Sequence, residues 1–166
     1  MMNEWDDEAA QVTGESVQVA AFCVGEQRYG LDIMRIKEII NPVAITPVPR
    51  APEFIEGIIE LRGAFLPVVD LRKRFGIEPT AMTRENKYII VSLSGRVLGL
   101  VVDKVIDTRP IPIGGISDGA DLALGASTRF LTGCYKSADG ILLMIDLDEV
   151  LSSVEKNELL DMESTN

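Results

Sequence analysis

Apolar residues in this chain come in short runs, mostly with two-residue alternation, and the runs are separated by glycine, proline and charged turns. Residues 17–24 (Val-Gln-Val-Ala-Ala-Phe-Cys-Val) and 28–33 (Arg-Tyr-Gly-Leu-Asp-Ile) flank Gly25-Glu26-Gln27, which predicts a hairpin. Ile33, Ile36, Ile39 and Ile40 fit one helical turn running into a strand. Pro42, Pro47, Pro49 and Pro52 exclude a regular helix from 41 to 52 and predict an edge strand or an extended connection. A single turn is expected at 51–55. Strands follow at 58–61 and 64–69 around Arg62-Gly63, and Asp70 caps a short helix at 71–75 that Gly76 stops.

Residues 76–87 are polar, contain Pro79 and read as a linker. Strands resume at 88–93 and 97–102 around Ser94-Gly95-Arg96, and the pattern extends through 103–113. The stretch 114–127 holds Gly114, Gly115, Gly119 and Gly125 and reads as irregular. Residues 129–135 and 141–145 predict another strand pair, after which Asp146 caps a closing helix from 147 to 154 or beyond. Many short strands between turn signals predict an all-β fold with a few short helices, a barrel or sandwich.

The chain also resembles itself. Gly30-Leu31-Asp32-Ile33-Met34-Arg35-Ile36-Lys37-Glu38 aligns with Gly99-Leu100-Val101-Val102-Asp103-Lys104-Val105-Ile106-Asp107. Phe54-Ile55-Glu56-Gly57 aligns with Phe130-Leu131-Thr132-Gly133, and Asp70-Leu71 with Asp146-Leu147. Two blocks recurring in the same order indicate an internal duplication. Units of roughly 65 residues hold marginal cores alone, so the two are expected to pack face to face across a shared hydrophobic interface.

Charge sharpens the boundaries. The 166 residues carry a formal charge of −10 with no histidine. Glu4, Asp6, Asp7, Glu8 and Glu15 mark an acidic, flexible arm at 1–16, and residues 156–166 form an acidic tail. The segment between is nearly neutral. The expected organisation is one domain over 17–155, with 17–75 and 141–155 supplying one barrel and 88–146 the other. The acidic balance disfavours nucleic acid and anionic membranes as partners. No apolar run is long enough to span a bilayer, and the acidic start differs from a signal peptide, so a soluble cytoplasmic protein is expected.

Candidate chemistry is sparse. Without histidine there is no Ser/His/Asp or Cys/His machinery, and no cofactor or metal is expected. Asp146 and Asp148 read as cap and dipole partners of a helix start. Cys23 and Cys134 lie in apolar runs and read as small buried hydrophobes. Arg62, beside Gly63 at a tight corner, is either a solvated turn residue or a cation reaching to a carboxylate or a partner. Ile36 is either core or part of an exposed apolar patch.

One ordered series of motifs is specific. It comprises Tyr29-Gly30-Leu31-Asp32-Ile33, Glu38-Ile39-Ile40, Ile45-Thr46-Pro47-Val48-Pro49, Pro52-Glu53-Phe54-Ile55-Glu56-Gly57, Leu61-Arg62-Gly63, Pro67-Val68-Val69-Asp70-Leu71-Arg72 and Gly99-Leu100-Val101-Val102-Asp103. Over residues 17–155 the chain resembles the CheW family, the adaptors of bacterial chemotaxis arrays. The resemblance implies two SH3-like five-stranded β-barrels and no enzymatic activity. It implies two partners, the cytoplasmic tip of a chemoreceptor and the regulatory domain of the histidine kinase CheA, met at membrane-associated receptor arrays in the cytoplasm. A related gliding or pilus motility pathway is the alternative setting. The resemblance assigns partner binding to Ile36, Glu38, Gly57, Arg62 and Val105, the last as the repeat-two counterpart of Ile36. One departure is visible: Glu60 stands where the family usually has Asn, placing a second carboxylate near Arg62.

Overall fold

The computed structural model describes residues 15–78, 81–118, 130–152, 155, 156, 158 and 159. The strands are β1 (Ser16–Val24), β2 (Gln27–Asp32), β3 (Ile36–Ile40), β4 (Ile55–Leu61), β5 (Ala64–Asp70), β6 (Lys87–Leu93), β7 (Arg96–Val102), β8 (Lys104–Pro112), β9 (Ile116–Asp118), β10 (Leu131–Ser137) and β11 (Gly140–Ile145). One-turn helices α1 (Leu71–Arg74) and α2 (Leu147–Val150) follow β5 and β11. The cap reading holds at both. The Asp70 carboxylate accepts from the Arg72 amide, and the Asp146 carboxylate from the Asp148 amide. Ile33–Arg35 is a 3₁₀ turn leading directly into β3, as the isoleucine spacing predicts.

The duplication is visible in the pairing. In repeat one Ile36 pairs with Val91; in repeat two Val105 pairs with Phe22, the counterpart of Val91. Gly99 lies beside Val68 in one parallel pair, and Gly30 beside Met144 in the other. Both repeats carry a register shift at the same place, between Ile55 and Gly57 and between Leu131 and Gly133.

The repeats are intertwined. A six-stranded sheet runs β8-β1-β2-β11-β10-β9, and a five-stranded sheet runs β3-β6-β7-β5-β4. Each repeat gives its first hairpin to the other. The strands divide differently from the expected partition, 17–75 with 141–155 against 88–146: β3 to β7 form one sheet, and β1 and β2 with β8 to β11 form the other. One sheet has a strand more than the other because β9 is a full strand while its counterpart is a single bridge between Thr46 and Ile58.

Three apolar layers result. Val19, Ala21, Ile111, Tyr135, Leu142 and Met144 fill the six-stranded sheet. Ile59, Leu66, Val68, Tyr88, Ile90 and Val101 fill the five-stranded one. Between them lies a shared core whose members come in repeat pairs: Phe22 with Val91, Leu31 with Leu100, and Leu71 with Leu147. This is the expected common interface, with each large side chain contributing about 1.5–3 kcal/mol on burial. The closing helix is shorter than expected. It ends at Val150, and residues 155–156 and 158–159 are helical again. Leu159, assigned from sequence to the acidic tail, is a core residue only 3% exposed. The arm at 1–16 lies outside the described residues up to residue 14, and Ser16 already opens β1. Of the stretch 114–127, Ile116–Asp118 is strand, and 119–127 lies outside the described residues.

Candidate functional site

Arg62 and Gly63 are the two central residues of the β4–β5 hairpin, with φ of 52° and 82°. Two-residue hairpins favour such left-handed turns because their twist matches that of the strands. Glycine adopts this conformation freely, whereas arginine incurs roughly 1 kcal/mol of strain. Ser94-Gly95 makes the same turn between β6 and β7. The turn places a long cation at the hairpin tip.

That cation meets Glu38 on β3 in an ion pair. β3 and β4 are opposite edges of the five-stranded sheet, so the contact brings its two edges together, as closure of a barrel requires. The Arg62 side chain remains 75% exposed. Exposed pairs of this kind stabilise a fold by only about 0.2–1 kcal/mol, which leaves the guanidinium available to a partner. Glu60, the departing carboxylate, does not take Arg62; it lies across from Phe65 in the β4–β5 ladder.

The other sequence-predicted residues divide. Ile36 opens β3, two positions before Glu38, and it packs half-buried against the shared core. Val105 packs against the same core from β8, on the other sheet. Ile39, which faces the opposite side of the sheet from Glu38, and Val43 in the following connection are exposed apolar residues. Gly57 is a close-approach position. A Cβ there would sit 2.4 Å from the Thr46 carbonyl oxygen and 2.6 Å from Ile45 Cγ2, and φ is 153°. Its counterpart Gly133 leaves only 2.2 Å to the Ser117 oxygen. Gly57 therefore lets the 45–46 segment lie across β4. The structure thus brings Glu38 and Arg62 together and places Ile36 and Gly57 in the supporting framework of the same sheet.

The six-stranded sheet carries a matching contact of reversed polarity. At its β10–β11 turn the acid is Asp139, and the bases are Arg28 on β2, 2.7 Å away, and Arg109 on β8, 3.7 Å away. Arg109, only 4% exposed, also holds Asp107 through two bonds of 2.6 and 2.7 Å. Burial opposes ionisation of Asp139, but the Ser137 hydroxyl and the guanidinium groups of Arg109 and Arg28 outweigh it and hold its pKa below the ordinary value. The sequence points to neither this contact nor the exposed Ile39, Val43 and Phe65, because both depend on which strands the fold brings together.

Chain and family comparisons agree with this architecture. Residues 18–155 match the family model described as "CheW-like domain". The chain belongs to the CheW-like family. It is 30% identical over 148 residues to the chemotaxis protein CheW of Klebsiella aerogenes, covering 88% of this chain and 89% of that one. To CheW of Rhizobium meliloti it is 32% identical over 148 residues, covering 89% and 96%. To protein FrzA of Myxococcus xanthus it is 36% identical over 109 residues, covering 65% and 67%. The crystal structure of the scaffolding protein TtCheW from Thermoanaerobacter tengcongensis superposes with a TM-score of 0.74 at 37% identity, over 82% of this chain and 92% of that one.

Within this CheW-like domain the chemistry is that of a surface. Among the described residues no cluster of three or more Cys, Asp or Glu could hold a metal, and no helix is long and apolar enough to cross a membrane. The cysteines are free and half-buried, more open than the sequence implies, and burial pushes the Cys23 thiol pKa up, away from the reactive thiolate.

Proposed function

We propose that this chain is a non-enzymatic adaptor that joins the cytoplasmic tip of a chemoreceptor to the histidine kinase CheA in a chemosensory array at the cytoplasmic side of the membrane. The observation that carries this reading is the exposed Arg62–Glu38 pair at the edge of the five-stranded sheet. Apolar contacts supply binding energy, and an exposed charged pair sets register and excludes wrong partners. Ile36 and Gly57 act by shaping the sheet that presents this edge, and Val105 by the equivalent packing on the other sheet. Family membership supports the reading.

The test mixes this protein with the CheA regulatory domain and with a receptor cytoplasmic fragment, in pairs and all together. Capture of both partners by the native chain, and loss of at least one by Arg62→Ala with the fold intact, is expected. Capture of neither refutes the adaptor reading. The likeness to FrzA favours a second setting for the same scaffold, a related motility pathway. Preference for kinases and receptors of that pathway in the same assay identifies it.

A further inference from the structure

A groove of about 910 Å³ opens between the 48–51 connection, the β4–β5 hairpin and the β6–β7 turn. Neither Glu38 nor Arg62 lines it. Ile58 and Glu60 on β4 lie directly across from Pro67 and Phe65 on β5, so these four side chains share the outward face of the hairpin. Ile59 and Leu66, at the alternate positions, belong to the core of the five-stranded sheet. Two positions beyond Pro67 on the outward face, Val69 is buried in the shared core. The apolar face is therefore covered at one end by the other sheet and open at the hairpin end, where Phe65 is 66% exposed.

Charges of both signs border the open end. Glu60 stands beside Phe65 in the ladder and is exposed. Arg50 lines the groove from the 48–51 connection, where the Ala51 amide closes a turn by donating to the Val48 carbonyl at 3.2 Å. Its φ of 63° is the left-handed value taken by the third residue of such a turn. Among the described residues, neither the Arg50 nor the Glu60 side chain has an ion-pair partner. The main chain offers no alternative mode of docking at the Thr46–Ile58 bridge. There each amide donates to the other residue's carbonyl at 2.9 Å, so an added strand cannot pair at that point. One face thus carries a projecting ring, an apolar groove, an anion and a cation. A partner with a single sign of charge would leave one of the two ions unmatched. A second copy of the same face, turned about a two-fold axis, matches both, because each contact is then made twice with the roles exchanged.

We infer that this face joins two copies of the chain in a two-fold dimer. Phe65 of each copy enters the groove of the other against Ile58 and Pro67, and Glu60 of each meets Arg50 of the other. The contact uses neither Glu38 nor Arg62, and the inference does not depend on the receptor–kinase reading.

The test is sedimentation velocity of the full chain from about 1 µM to about 1 mM, a range that spans weak specific contacts. The native chain passes from monomer to dimer and goes no further. Phe65→Ser weakens the dimer at least about tenfold. Arg50→Glu and Glu60→Arg each do the same, because each sets like charges together at both contacts. An equimolar mixture of those two variants restores association to within about threefold of native, since both contacts then pair opposite charges. On the other sheet Lys136 lies across from Ile141 as Glu60 does from Phe65. Lys136→Glu and Ile141→Ser leave the dimer unchanged, and melting curves confirm that each variant folds. A native chain that stays monomeric over the whole range overturns the inference, as does a dimer that survives Phe65→Ser or a mixture that fails to rescue. Growth beyond the dimer, or its dissolution by Lys136→Glu, would show a front-to-back contact between different faces and overturn it equally.

Discussion

Arg62, held in a left-handed turn at the tip of one hairpin, pairs with Glu38 on the strand at the far edge of the same sheet. The pair closes the five-stranded barrel and leaves most of the arginine side chain in solvent. Because the pair contributes little to stability, the recognition role proposed for Arg62 can be tested apart from folding.

Arg62→Asn therefore separates the two roles. Asparagine tolerates a left-handed φ, so the variant loses no more than about 1 kcal/mol in urea unfolding and can gain a few tenths. Its capture of the kinase or receptor fragment falls by about tenfold or more. A stability loss of several kcal/mol would make Arg62 a structural residue.

Gly57→Ala is expected to destabilise by roughly 2–4 kcal/mol, because the new Cβ meets the Thr46 carbonyl at 2.4 Å. Gly133→Ala behaves alike, since its Cβ would lie 2.2 Å from the Ser117 oxygen. Urea midpoints read both. If Gly57→Ala abolishes partner capture while unfolding like the native chain, the glycine itself forms part of the binding surface.

Arg72 is 5% exposed and makes two bonds to buried Asp70, at 3.0 and 2.9 Å. It also reaches Asp103 at 3.4 Å, whose carboxylate in turn accepts from the Gly25 amide of the other sheet at 2.6 Å. Arg72→Ala strands a buried carboxylate and costs about 3–5 kcal/mol, while the apolar pair Asp70→Leu/Arg72→Met costs distinctly less. Denaturant titration of the two variants checks the order.

Acid weakens the fold through Asp148 and Asp139. A hydrogen bond from Arg35 holds Asp148 below its ordinary value of 3.8, and Asp139 is likewise depressed. A depressed folded-state pKa stabilises the fold fully above the unfolded value and loses that contribution as pH falls through the folded value. Unfolding free energy should hold steady above about pH 5 and drop below pH 4. Asp148→Asn removes part of that slope and lowers neutral-pH stability by about 0.2–1 kcal/mol. An unchanged acid limb in Asp148→Asn would exclude the Arg35 contact as a contributor.

Local features were readable from the chain. The Arg62-Gly63 and Ser94-Gly95 turns, the Asp70 and Asp146 caps and the 3₁₀ turn entering β3 all depend on neighbouring residues, so a few side chains determine them. The arrangement of the candidate residues was readable only in part. Glu38 and Arg62 come together because distant edges close, whereas the burial of Ile36 and Val105 depends on which strands lie over them. Ile39, Val43 and Phe65 give no local sign that nothing covers them.

The sequence alone determined the strand class, the turns and the equivalence of the two repeats, because alternation, glycine φ and spacing are short-range properties. It did not determine which repeat completes which barrel, and the partition expected from it differs from the strand order. A duplicated pattern lets Gly30 lie beside Val68 of its own repeat as readily as beside Met144 of the other, and the chain folds with the second pairing. Folding resolved that ambiguity through long-range burial. Exchanging hairpins places Phe22, Leu31, Val91 and Leu100 in one shared core, which two separate units of this size would have left facing water.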